Sequence, residues 1–95
     1  MNVATIIRDQ VGPKALYMLG AKNLGATEDA LSFKIMKNAK GINHIKITLN
    51  SMDTYDIDYG YVRGGKYTIK ATDKDVYCDG LHASIENNTN LYTSL

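Results

Sequence analysis

His44-Ile45-Lys46-Ile47-Thr48-Leu49-Asn50 and, after the turn Ser51-Met52-Asp53, Thr54-Tyr55-Asp56-Ile57-Asp58-Tyr59-Gly60-Tyr61-Val62 decide the fold. Apolar and polar residues alternate through both stretches. Successive side chains of an extended chain point to opposite sides of a sheet, so a period of two predicts strands with one apolar face each. In the first, Ile45, Ile47 and Leu49 point inward and His44, Lys46 and Thr48 outward. In the second, Tyr55, Ile57, Tyr59 and Tyr61 share one face, and Asp56, Asp58 and Gly60 share the other. So short a connection joins antiparallel strands, because a parallel pair needs a crossover of a dozen residues or more.

The same period extends in both directions. Upstream, Leu31, Phe33 and Ile35 face inward while Ser32 and Lys34 face out, and Lys37 to Asn43 reads as a turn. Downstream, Gly64-Gly65 suits the positive φ angles of a tight hairpin. Lys66 to Ala71 then continues with Tyr67, Ile69 and Ala71 inward and Lys66, Thr68 and Lys70 outward. Residues Gly20 to Thr27 show no period and read as loop.

Both ends of the chain change to a helical period. Val3, Ile6, Ile7, Gln10 and Val11 form one stripe with Asn2 placed to cap it. Gly12-Pro13 ends that helix, and a second short one runs from Pro13 to about Leu19, with Ala15, Leu16 and Leu19 inward. Near the C-terminus Val76, Tyr77, Gly80, Leu81, Ser84 and Ile85 share a stripe, with Asp73 or Asp75 at its start and Asn87, Asn88 and Asn90 at its end. The expected architecture is α+β, a single domain over 1–95. A four-stranded antiparallel meander carries the N-terminal and C-terminal helices packed on one face and leaves the other open to water.

The chain of 95 residues is 44% hydrophobic and 22% charged, too apolar for disorder and without an apolar run that could span a membrane. Arg8 and Asp9 interrupt the apolar positions of the N-terminus, unlike a signal peptide. Cys78 is the only cysteine, so no internal disulfide forms. Together these features point to a reducing cytoplasm. Asn87-Asn88-Thr89 matches a glycosylation acceptor by pattern alone.

The net charge of +1 conceals an asymmetry: residues 30–70 carry seven basic and three acidic side chains, a net +4, and the remainder carries −3. Lys34, Lys46, Arg63, Lys66 and Lys70 are the candidate binding residues. Asp56 and Asp58 lie on the strand between Lys46 and the Lys66–Lys70 strand, so a ladder of cross-strand ion pairs is the simpler reading of those lysines.

Catalytic and metal constellations are weak. Cys78 and His82 are four apart on the expected last helix, a spacing that could activate a thiol, but no oxyanion turn adjoins them. A metal site from Cys78, His82 and His44 would need a helix and a distant strand to converge. Asp53, Asp56 and Asp58 lack the glycine and the distal glutamate of a calcium loop. No phosphate-binding glycine loop or nucleophile elbow occurs. No catalytic residue, metal or cofactor is therefore assigned. Tyr59-Gly60-Tyr61-Val62 is similar to the aromatic strand of RNA-recognition modules. It lacks the basic residue before the glycine, and its alternation turns both tyrosines toward the core.

Gly20-Ala21-Lys22-Asn23, Leu31-Ser32-Phe33, Ile45-Lys46-Ile47-Thr48-Leu49, Asp53-Thr54-Tyr55 and Leu91-Tyr92-Thr93-Ser94-Leu95 resemble, in order and spacing, a group of small uncharacterised proteins of bacteriophages and mobile elements. The segment Gly80 to Ile85 and the asparagines after it are less bulky than that group's last helix. The resemblance implies a phage or prophage accessory protein acting in the cytoplasm of a bacterial host, and it carries over no functional residues. The expected function is non-catalytic binding of a protein partner, such as a host defence or regulatory component. Edge strands leave room for a homodimer. The alternatives are a nucleic-acid-binding module on the basic sheet face and a small enzyme built on Cys78 and His82.

Overall fold

A computed structural model describes residues 2–93. Helix α1 spans Val3–Val11 and α2 spans Pro13–Met18. Strands β1 Lys22–Ala26, β2 Ala30–Lys34, β3 His44–Leu49, β4 Tyr55–Arg63 and β5 Lys66–Val76 follow, and α3 Leu81–Thr89 closes the chain after a 3-10 turn at Cys78–Gly80. The sheet is an antiparallel meander in the order β1-β2-β3-β4-β5.

The N-terminal helices form as their sequence dictates. Asn2 Oδ1 accepts the Ala4 N–H at 2.9 Å, satisfying a backbone donor that the first turn leaves unpaired. Ala4, Ile7 and Val11 are buried on the inward stripe, and Gly12 at φ 93 redirects the chain into α2. These helices and α3 cover one face of the sheet. Between them lies a core built on Phe33, Ile45, Ile47, Ile57, Tyr59, Leu81 and Ile85, each fully buried.

Three features differ from the sequence reading. The sheet has five strands rather than four. The extra one, β1, shows no period because it is an edge strand exposed along nearly its whole length. Backbone pairing holds it, through Lys22↔Lys34, Gly25↔Ser32 and Ala26↔Leu31, with a bulge at Asn23, φ 54.

The second difference is a change of face within β5. Tyr59 pairs with Ala71, yet Gly60 pairs with Ile69, so Lys70 is an extra residue. A bulge of this kind turns every side chain beyond it to the opposite face. Tyr67 and Ile69, expected inward, lie instead on the open face with Gly60 and Val62. Lys70, expected outward, turns to the other side, where its Nζ stands 5.3 Å from the centre of the Tyr61 ring.

The third difference is at the last helix. Val76 belongs to β5, paired with Tyr55, and α3 begins only at Leu81. Asp73 does not cap the helix. Its carboxylate accepts from Ser84 Oγ and from Asn88 Nδ2 at 2.9 Å, and Ser84 in turn meets the Tyr59 hydroxyl at 2.7 Å. This chain of polar contacts fastens α3 to the sheet. The helix ends at Asn90 in the left-handed conformation, as the run of asparagines suggests. Beyond it Thr93 donates twice to the Glu86 carboxylate, which holds that carboxyl below its usual range. Ser94 and Leu95, the end of the phage-like stretch, lie outside the described residues.

Candidate nucleic-acid interface

In a meander the connections alternate between the two ends of the sheet. The start of β1, the β2–β3 loop and the β4–β5 hairpin therefore share one end, formed by residues 19–23, 34–44 and 60–70. Those three segments contain Lys22, Lys34, Lys37, Lys40, Arg63, Lys66 and Lys70 and no carboxylate. Glu28, Asp29, Asp53, Asp56 and Asp75 collect at or near the other end. Among the described residues the only close ion pair joins Arg8 to Asp9, at 3.8 Å.

The expected ladder of ion pairs is accordingly not formed. Lys46 and Asp58 face each other across β3 and β4, but Asp58 accepts from Thr72 Oγ1 at 2.9 Å, and Asp56 accepts from Asn50 Nδ2 and the Asp75 N–H. The carboxylates of the open face are occupied by neutral donors, and none of the described cations of the sheet closes an ion pair with them.

Of the five residues selected from the sequence, Lys34 and Lys46 lie on the open face, and Arg63 and Lys66 pair at the hairpin tip. Lys70 lies on the opposite side of the sheet but at the same end. The structure adds Lys22, Lys37 and Lys40, which come from segments read as loops.

The loop carrying Lys37 and Lys40 is held in one shape by Asn38. Its Oδ1 accepts the N–H groups of Lys40 and Ile42, and its Nδ2 donates to the carbonyls of Met36 and Ile42. Ile42 is buried and anchors the loop to the core. Asn43 extends the β4 ladder with its side chain, accepting the Val62 N–H at 2.7 Å and donating to the Val62 carbonyl at 2.9 Å.

Aromatic and apolar groups lie among these cations. Tyr67 projects over Gly60 and stands edge-to-face against His44, with ring centres 5.2 Å apart. Val62 and Ile69 beside them are about half exposed. Next to this group a cavity of about 280 Å³ is lined by Asn23, Lys34, Asn43, His44 and Val62. A second, of about 300 Å³, shares Lys34 and Asn43 with it and includes Lys37 and Tyr61.

Burial, and secondarily the charge of Lys46, lowers the His44 pKa, so the ring is neutral at pH 7. The neutral form's contribution to stability is complete above the unfolded-chain value of about 6.5 and is lost as pH falls through the lower folded value. An NMR titration should show the His44 ring protons responding with a midpoint below about 6.5; a midpoint at or above that value would mean a solvated ring.

Comparison with known proteins found no family model, no curated protein and no solved structure that matches the chain.

The alternative constellations are not assembled. Cys78 lies in the 3-10 turn ahead of α3, so it and His82 do not share one regular helix, and the His82 Nε2–H donates to the Val11 carbonyl at 2.6 Å. No group of three or more His, Cys, Asp or Glu side chains among the described residues could hold a metal ion. No described helix is long and apolar enough to cross a membrane.

Sequence reasoning passed over the Tyr67–His44 pair. Its one signal was Gly60, since glycine inside a strand marks a bulge or a close approach.

Proposed function

We propose that this protein binds nucleic acid through the basic end of its sheet, as a non-catalytic accessory factor of phage or mobile-element type in a bacterial cell. The observation that carries this reading is the gathering of seven cations and no carboxylate from three separate segments at one end of the sheet. Phosphates are the common ligands of such a cluster, and releasing their condensed counterions drives binding. The acidic opposite end strengthens the reading, because a charge asymmetry along the molecule turns its basic end toward a polyanion during encounter. The near-neutral net charge that favoured a protein partner in the sequence is a sum over two unlike ends. It is a weak guide to what either end binds.

The test is fluorescence anisotropy with labelled oligonucleotides over a range of salt. About five phosphate contacts predict binding that weakens about a hundredfold between 50 and 200 mM salt. Lys34→Ala, Arg63→Ala and Lys66→Ala combined should flatten the salt slope by about 2. Lys14→Ala with Lys74→Ala, outside this end, should leave it unchanged. Absence of binding at low salt would overturn the reading and return a protein partner to first place.

A further inference from the structure

A basic end could grip a duplex or a single strand, and the cavity beside His44 separates the two. Lys34, an exposed residue, is part of its lining, as a phosphate contact would require. Its walls combine the His44 ring and the Val62 side chain with Asn23 and Asn43. Both polar atoms of the Asn43 side chain are already spent on the Val62 backbone. The His44 ring is not satisfied in this way: its Nδ1 is buried and has no hydrogen-bond partner among the described residues. Most buried polar atoms in native proteins are paired, so a turn of the ring that brought this nitrogen to a donor in the cavity would be favourable.

A ligand suited to this cavity has a flat ring that can lie against an imidazole and an aliphatic side chain, an N–H to offer the ring nitrogen once the imidazole turns toward it, and a negative charge one short linkage away for Lys34. A nucleotide with its base unpaired has all three. A duplex keeps its base faces stacked and its pairing edges occupied, and presents only phosphates and groove edges.

We propose that the ligand is a single-stranded nucleic acid, one of whose bases enters the cavity lined by His44 and Val62 while the adjoining phosphate contacts Lys34. This rests on the basic end being a nucleic-acid interface and specifies what that interface reads. Tyr67 positions the His44 ring through its edge-to-face contact.

The experiment compares single strands of DNA and of RNA with a duplex of equal phosphate number, and with strands that keep every phosphate but lack their bases. Intact single strands should bind about tenfold tighter than base-free strands, the usual effect of losing a stacked base. They should also bind more tightly than the duplex. The DNA and RNA arms show whether the 2′-hydroxyl matters. His82, on the far helical layer, serves as an internal reference for NMR. Adding an intact strand should move the His44 ring signals and leave those of His82 in place. His44→Ala should remove most of the preference for intact over base-free strands, and Val62→Lys is a second variant that closes the cavity from an exposed position. Equal affinity for intact and base-free strands with unmoved His44 signals would overturn the base pocket while leaving the phosphate interface standing. If no strand binds at all, the interface and the pocket fall together.

Discussion

Replacing Tyr59 with alanine should cost about 3–5 kcal/mol, the range for removing a large buried aromatic ring. A domain of this length has about 5–14 kcal/mol of stability in total, so the variant is expected to be close to unfolding at 37 °C. Tyr59 is the largest of the fully buried side chains, and its hydroxyl meets Ser84 Oγ, which also donates to Asp73. Its removal leaves a cavity at the centre of the sheet and takes away one of the contacts that hold α3. Burial raises the phenol's pKa strongly, so the hydroxyl is neutral at pH 7. Tyr59→Phe separates the two effects. It keeps the ring, removes only the hydroxyl, and should cost about 1–2 kcal/mol. Urea unfolding of both variants measures the difference. Equal losses for Phe and Ala would mean that the polar contacts, rather than the packing of the ring, hold α3 in place.

Gly60→Ala should lower the thermal midpoint by about 10–20 °C, as expected when an atom forced into a packed site costs about 2–3 kcal/mol in a domain of this size. A Cβ at this position would lie 2.2 Å from Cε1 of Tyr67 and 2.9 Å from the Thr68 carbonyl oxygen. The ring would have to swing away from Gly60 and release its contact with His44, and the backbone of β5 would have to shift at its bulge. The variant should therefore also disturb the His44 cavity. In a Tyr67→Ala background the ring clash disappears and the carbonyl clash remains, so Gly60→Ala should cost roughly half as much there; double-mutant analysis by calorimetry reads this coupling directly. An unchanged midpoint for Gly60→Ala would show that Tyr67 does not rest on Gly60.

Gly60 also shows why part of the molecule was legible in the sequence and part was not. The alternation in residues 31–35, 44–49 and 54–61 identified three strands and their inward residues, and Phe33, Ile45, Ile47, Ile57 and Tyr59 are all fully buried. The helical stripe through Val3, Ile7 and Val11, its Asn2 cap and its end at Gly12 were equally plain. In each case a single side-chain period, or one capping residue, carries the information locally.

Lys66 to Val76 behaved differently. Its first residues alternate as cleanly as any strand, yet the bulge at Lys70 puts Tyr67 and Ile69 on the open face and Lys70 on the other. A bulge is a relation between two strands, and the sequence of one strand does not contain it. The edge strand β1 was missed for a related reason. Backbone hydrogen bonds to β2 hold it, and these leave no pattern among exposed side chains.

The candidate site follows the same division. The sequence by itself determined an antiparallel sheet with helices over one face, the residues of its core, and an excess of basic charge in the middle of the chain. Only the tertiary structure brought Lys22 and the β2–β3 loop to the same end as Arg63 and Lys66, placed the carboxylates at or near the other end, and set Tyr67 against His44 beside a cavity. Those arrangements depend on strand direction and register, which arise from backbone pairing between consecutive strands, from Arg63↔Lys66 at the hairpin to Tyr55↔Val76 at its far end. Hydrophobic period reports which way a side chain points within its own segment; register decides what it meets.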